Sequence, residues 1–308
     1  MTALFWTVYT RMDAHPGPSR DSEPETSAAQ EPQLGRGMID KQVQSIPNGA
    51  IVVNAALSDA DVSDVANAPC VETGWFETEY WLAQGLAAAR TGGRGGVVFV
   101  ETPLGPCVLR HYRRGGLAAL VSTDHYLWSG ARRTRSFREF DLLMRMTEAG
   151  LPVPEPIAAR YVRDGIGYRA DLLVRRLSPV RTLAERQAAG SLDAALAERV
   201  GRTLARFHRV GVWHADLNAH NVLAANGVAG GLTSDQVWLI DFDRGRLRKP
   251  ALAWQQSNFA RLRRSFIKLG AGRNIEDFDS AFWHPLLAAY HAALGAGAII
   301  RPDHGAEL

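Results

Sequence analysis

At Pro179 the chain changes its hydrophobic period, and that change constrains its fold more than any other feature. Before it, Val97-Val98-Phe99-Val100 and Cys107-Val108-Leu109 flank the turn Thr102-Pro103-Leu104-Gly105-Pro106, which predicts a hairpin. Ala158–Val162 and Tyr168–Val174 predict a second hairpin. After Pro179, Leu192, Leu196, Val200, Leu204 and Phe207 recur at helical spacing up to Gly211, and 251–269 and 278–294 also read as helices. Two short strands, Val222–Ala224 and Val237–Ile240, interrupt that helical half. Elements in this order predict an α+β chain of two lobes, β-rich over 48–178 and mainly helical over 179–308.

Within the first lobe, Ile51-Val52-Val53 predicts a strand and Phe76–Leu86 a helix with an aromatic face. Phe137, Phe140, Leu143, Met144 and Met146 mark a helix over 136–149, capped by Ser136 and stopped at Gly150. Residues 152–156 form a stiff proline-rich connector. Order is expected to begin near Ile46. The stretch 13–47 is rich in Pro, Ser, Glu, Gln and Gly and has no apolar period, so 1–47 is expected to be a disordered arm. Met38 leaves open a later translation start.

Apolar residues make up 46% and charged residues 22% of the 308, a balance that excludes wholesale disorder and fibrous architecture. No run reaches the ~18 apolar residues that would span a bilayer. The apolar start Ala3–Tyr9 lacks the basic flank and cleavage site of a signal peptide. Two cysteines, Cys70 and Cys107, cannot build a disulfide framework, so a reducing cytoplasm is expected. A net charge of +3 is too small to argue for nucleic acid. Only Lys41, Lys249 and Lys268 are lysines. Any mechanism that needs a lysine between 42 and 248 is therefore excluded.

The chemistry concentrates in His214-Ala215-Asp216-Leu217-Asn218-Ala219-His220-Asn221 and, after the next strand, Asp241-Phe242-Asp243. A long helix precedes the first run, and an apolar strand carries the second. H-x-D-x-x-x-x-N followed by a strand-borne Asp is the catalytic-loop and metal-loop arrangement of kinases. Phosphoryl transfer needs an acceptor hydroxyl held in line, which Asp216 can do by accepting its proton. The phosphate charge needs a hard cation, and Mg²⁺ prefers oxygen ligands such as those of Asn221 and Asp241. His214 would brace the loop. Upstream, Gly93, Gly95 and Gly96 can bring backbone N–H groups to the phosphates of ATP, although the run lacks the Walker A pattern. A kinase normally has a strand lysine paired with a helix Glu. Here Arg110 and Glu139 stand in matching order, and an arginine fork can bind both carboxylate and phosphate.

These residues resemble a known family. VLRHYRRGGL (Val108–Leu117), with Gly93–Phe99 upstream, TRSFREFDLL (Thr134–Leu143), LPVPEPIAAR (Leu151–Arg160), HADLNAHNVL (His214–Leu223) and IDFDR (Ile240–Arg244), is similar to 3-deoxy-D-manno-octulosonic acid (Kdo) kinases. The resemblance covers about 48–280. It implies a protein-kinase-like fold, ATP with Mg²⁺, and phosphorylation of a Kdo hydroxyl, expected to be the 4-OH, on Kdo–lipid IVA in lipopolysaccharide core synthesis. It places the active-site Asp at Asp216 and has Arg at the position of Arg110. The implied partners are that acceptor and the cytoplasmic face of the inner membrane, bound peripherally, without nucleic acid. Seven arginines and one acid between Arg110 and Arg138 fit anionic lipid, and helix 251–269 offers either a core face or a membrane face. Two alternatives remain: a kinase of the aminoglycoside or choline type, and an inactive kinase-like binding module.

Overall fold

Alternation along the strands sorts their side chains onto two faces of one antiparallel sheet. Ala50, Val52, Ala159, Tyr161, Ala170 and Leu172 join one buried cluster. Ile51, Val98, Val100, Leu109, Ala158 and Leu173 join another. Successive residues of a strand point to opposite faces, so both faces of this sheet are covered. The computed structural model describes residues 40–57, 71–90, 97–113, 125–226 and 236–295.

The sheet comprises β1 (Lys41–Ile46), β2 (Gly49–Asn54), β3 (Ala87–Arg90), β4 (Val97–Thr102), β5 (Gly105–His111), β6 (Tyr126–Leu127), β7 (Pro156–Asp164) and β8 (Gly167–Arg175). Its order is β1-β2-β7-β8-β5-β4-β3, with β6 paired to β8. Both expected hairpins are present, as β4–β5 and β7–β8. Two expectations need correction. Residues 41–46, assigned to the disordered arm, form β1 in register with β2 from Lys41↔Asn54 to Ile46↔Gly49. The helix expected over Phe76–Leu86 is only α1 (Thr78–Ala83), followed by β3. Gly85 at φ 69° ends it, a backbone conformation that favours glycine.

One sheet face is covered by the segment around α1, where the buried Trp81 donates Nε1–H to the Trp75 carbonyl at 2.8 Å. The other is covered by α2 (Arg135–Glu148), which buries Phe137, Phe140, Leu143, Met144 and Met146 as its spacing predicts. Its N-cap is Thr134, not Ser136. Ser136 lies inside the first turn and donates Oγ–H to the Arg160 carbonyl of β7 at 2.9 Å.

The C-terminal region is mainly helical: α3 (Leu183–Ala188), α4 (Ala194–Arg209), α5 (Leu252–Lys268), α6 (Ile275–Phe278) and α7 (His284–Leu294). A small sheet of β9 (Val180–Thr182), β11 (Val222–Ala225) and β12 (Val237–Leu239) is embedded in it, in the order β12-β11-β9. The pair β10 (Val212–Trp213) and β13 (Arg246–Leu247) closes the segments around the site. Asp193 caps α4 by accepting the Leu196 N–H at 2.7 Å, a bond worth about 1 kcal/mol. Gly201 lets α7 approach α4 closely, since a Cβ there would lie 2.2 Å from the Leu286 carbonyl oxygen. On α5, Phe259, Leu262 and Phe266 are buried while Leu269 is exposed. The α5 stripe is thus chiefly a core face. The α+β, two-lobed expectation is met, with a β-rich N-terminal region and a helical C-terminal one.

Candidate active site

The segment Trp213–Val222 leaves β10 and enters β11, and nearly every polar group in it is tied down from within. The buried His214 receives the Asp216 N–H on Nδ1 at 3.1 Å and meets the Ile240 carbonyl through Nε2 at 3.0 Å. A backbone N–H can only donate and a carbonyl can only accept, so His214 is the neutral Nε2–H tautomer. Burial holds its pKa below the ordinary imidazole value, in agreement with that form. Asn221 donates Nδ2–H to the Asp216 carbonyl at 2.9 Å, and the Ile240 N–H donates back to the Asn221 carbonyl at 3.0 Å. Asn218 donates to both the carbonyl and Oδ2 of Asp216, each at 3.1 Å.

Three residues of α5 buttress this loop from one side. Asn258 donates to the His214 carbonyl at 2.7 Å, Ser265 accepts the Ala219 N–H at 2.8 Å, and Arg261 lies beside Asp216. Their spacing puts them on adjoining ridges of one helix. The Asp216 side chain itself stays 59% exposed. The backbone of the candidate base is therefore fixed while its carboxylate is open to an acceptor.

The charged cluster expected from Arg110 and Glu139 adjoins this loop, because Ile240, which bonds both His214 and Asn221, is followed by Asp241. Arg110 on β5 donates Nη2–H to Glu139 Oε2 at 2.5 Å and Nη1–H to Asp241 Oδ1 at 2.6 Å. Tyr112 donates its hydroxyl to the same Glu139 Oε2 at 2.6 Å, and the Phe242 N–H donates to Oε1 at 3.0 Å. Burial pushes the Glu139 carboxyl upward, against the pull of Arg110. Burial opposes the Arg110 charge, but Glu139, Tyr112 and Asp241 outweigh it and hold its pKa well above the ordinary value. Burial works against Asp241 too, and Arg110, with Arg135, holds its carboxyl below the usual range. Asp241 sits at φ 61°, a left-handed conformation that costs a typical L-residue roughly 1–2 kcal/mol and that Asp tolerates better than most. Phe242 anchors this turn by stacking on Phe207 at 5.9 Å.

Five of the predicted residues are thus brought into two adjoining groups: Asp216 and Asn221 on the braced loop, and Arg110, Glu139 and Asp241 in the charged cluster. Gly93, Gly95 and Gly96 lie outside the described residues. No cluster of three or more His, Cys, Asp or Glu is placed to hold a metal among the described residues. Mg²⁺ does not require one, because it keeps several waters and takes one or two protein oxygens plus phosphate. Asn221 and Asp241 fit that demand. The amide nitrogen of the Asn221 side chain is engaged by the loop, leaving its side-chain oxygen Oδ1 as the ligating end, and Asp241 is a stably ionised carboxylate.

A family model described as "Lipopolysaccharide kinase (Kdo/WaaP) family" matches residues 78–290, more than half of the chain. The chain belongs to the lipopolysaccharide kinase (Kdo/WaaP) family. A 3-deoxy-D-manno-octulosonic acid kinase of Xanthomonas campestris pv. campestris is 51% identical over 227 residues, covering 73% of this chain and 87% of that protein. The protein of that description from Stenotrophomonas maltophilia is 47% identical over 226 residues, with the same shares covered. A solved chain titled "WaaP in complex with acyl carrier protein" is 17% identical, covering 69% of this chain and 90% of that one at a TM-score of 0.41. That likeness is too slight to weigh. The family membership makes the chain an ATP-using phosphotransferase that acts on a hydroxyl group.

Sequence reasoning missed Tyr112, Asn258 and Ser265 and gave Arg261 no role. The signal for the α5 residues is faint: polar side chains at positions 258, 261 and 265, beside the apolar stripe. Arg110 lies in the site, and Arg135 donates Nε–H to Asp243 at 2.7 Å and packs over Tyr126, so neither belongs to a solvent-facing basic patch. Arg113, Arg132, Arg133 and Arg138 are exposed.

Proposed function

We propose that the chain transfers the γ-phosphoryl group of ATP to the 4-hydroxyl of Kdo on Kdo–lipid IVA, at the cytoplasmic face of the inner membrane. The observation that carries this reading is an exposed Asp216 on a loop braced from within and bonded to Ile240, the residue before Asp241 of the Arg110–Glu139–Asp241 cluster. About half-identity to Kdo kinases supports a Kdo-containing acceptor over an aminoglycoside or choline.

In this mechanism Asp216 orients the acceptor hydroxyl and accepts its proton as the oxygen attacks the γ-phosphorus. The new sugar O–P bond forms while the bond to the β,γ-bridging oxygen breaks, and ADP departs with that oxygen. Arg110, held by Glu139, presents its guanidinium to the phosphates, and the glycines 93, 95 and 96 are assigned to the same task. Asn221 and Asp241 would hold Mg²⁺, which when bound supplies positive charge against the phosphate oxygens. His214 fixes the loop geometry and carries no proton in the reaction.

The acceptor lipid brings the enzyme to the membrane, and peripheral attachment is supported by surface composition. Arg132, Arg133 and Arg138 are exposed, as are Ile267 and Leu269 beside Arg264 and Lys268. No helix among the described residues is long and apolar enough to cross a membrane. Labelled ATP with Kdo–lipid IVA, beside lipid IVA lacking Kdo, tests the reading. Label is expected in the first lipid only. Label in both, or in neither, would overturn it.

A further inference from the structure

α5 carries a guanidinium to the edge of the candidate base. Arg261 Nη1 lies 3.8 Å from Asp216 Oδ1, inside ion-pair range but too far for a hydrogen bond. Among the described residues the Arg261 side chain makes no hydrogen bond, and its buried Nε is unpaired. Arg263, two positions on, differs: its Nη2 donates to both oxygens of Asp279, at 2.8 and 3.0 Å. The side chains of Arg261 and Asp216 are 38% and 59% exposed. A solvated pair of that kind is worth at most about 1 kcal/mol, so stability is a poor reason for a cation at this place.

The acceptor supplies a better one. Kdo is an acid, and its carboxylate is ionised near neutral pH. Bringing it up to a base that is itself a carboxylate sets like charges against each other. A guanidinium beside the base offsets that repulsion, and its fork matches a carboxylate with two parallel N–H bonds. Arg261 is also well mounted for the task, between Asn258 and Ser265, which bond the same loop. Its backbone is thereby fixed relative to Asp216, within a sugar ring's width of where the acceptor hydroxyl must sit.

We infer that Arg261 is a specificity-determining residue that receives the carboxylate of the acidic acceptor sugar. The inference rests on the Kdo reading above. It is tested with a phosphate-free synthetic Kdo glycolipid, used as the free acid and as its C1 methyl ester, with ATP saturating. The wild-type chain is expected to prefer the acid by about 10- to 100-fold in kcat/KM, the range of a charge-assisted bond. Arg261→Gln should bring that ratio close to one, chiefly through KM for the acid, with KM for ATP unmoved. Arg261→Lys should fall between.

The ratio is internal to each variant, so partial loss of folded protein does not alter it. If Arg261→Gln is inactive toward both acceptors, the ratio for Arg261→Lys decides, and an unchanged one overturns the inference. A wild-type preference retained in Arg261→Gln overturns it as well. Equal use of acid and ester by the wild type overturns it while leaving the Kdo reading intact. No transfer to either acceptor overturns the Kdo reading, and this inference with it.

Discussion

Arg110 and Asp241, 131 positions apart, are joined by a 2.6 Å bond that ties β5 to the segment after β12. The same guanidinium holds Glu139 of α2 through its other nitrogen. One side chain therefore gathers three elements, and it can do so because a guanidinium has two donor ends in a fixed plane. A lysine ammonium is a point charge on a flexible stem and has no such span.

Arg110→Lys should therefore lower kcat/KM for ATP by about 10-fold or more, the cost of losing one charge-assisted bond. Glu139 is buried and would keep a cation, whereas Asp241 would lose its partner. Steady-state kinetics with ATP varied, beside a thermal melt, measures the effect. An unchanged kcat/KM would show that the two-ended bridge is dispensable.

Removing the Asp216 carboxylate should abolish proton acceptance without unfolding the loop. Three of the loop's bonds at this position use the Asp216 backbone: its N–H goes to His214, and its carbonyl accepts from Asn218 and Asn221; one further bond from Asn218 reaches the carboxylate. Asp216→Ala is expected to lower kcat by at least ~10²-fold with the melting temperature nearly unchanged. Near-normal turnover in a folded variant would remove Asp216 from the mechanism.

The metal assignment predicts loss of transfer in EDTA and recovery with Mg²⁺ or Mn²⁺. Asp241→Asn should raise the Mg²⁺ concentration needed for half-maximal rate, since an amide is a weaker ligand than a carboxylate. It is a cleaner test than Asn221→Ala, because Asn221 also holds the loop through Asp216. Transfer that persists without divalent cation would contradict the assignment.

The parts legible in the sequence are those with a period or a fixed spacing. The stripe from Leu196 to Phe207 and both hairpins of the sheet are ordered as their patterns predict. His214, Asp216, Asn221 and Asp241 are brought together because a loop and the strand after it deliver them from nearby in the chain. β1 was not legible. KQVQSI is a polar edge strand with no fully buried residue, so it carries almost no hydrophobic signal, and its order comes from pairing with β2. The α5 brace was hidden for another reason. Asn258 and Ser265 act across 44 and 46 positions, and only the packed fold shows what they face.

His208 sets the behaviour of the C-terminal region in acid. It is buried on α4 among Trp254, Phe259 and Tyr290, and its Nδ1 lies 2.8 Å from the Tyr290 hydroxyl. Burial lowers its pKa to about 3, against 6.5 for the free side chain. Between those values the unfolded chain binds a proton that the folded chain refuses. Stability is therefore lost as pH falls from 6.5 toward 3, with a slope approaching about 1.4 kcal/mol per pH unit for one such group, and the group has no effect above that window. His214, depressed by burial in the same direction, adds to the loss. Carboxylates titrate over the same range, so the comparison that isolates His208 is between the wild type and His208→Asn. The variant should be less stable at pH 7.5, where a cavity replaces the ring. Its stability should then fall less steeply than the wild type's between pH 6.5 and 4.5, in denaturant melts followed by circular dichroism. Parallel curves would mean that His208 is protonated in the folded protein, and that its aromatic cage does not exclude the charge.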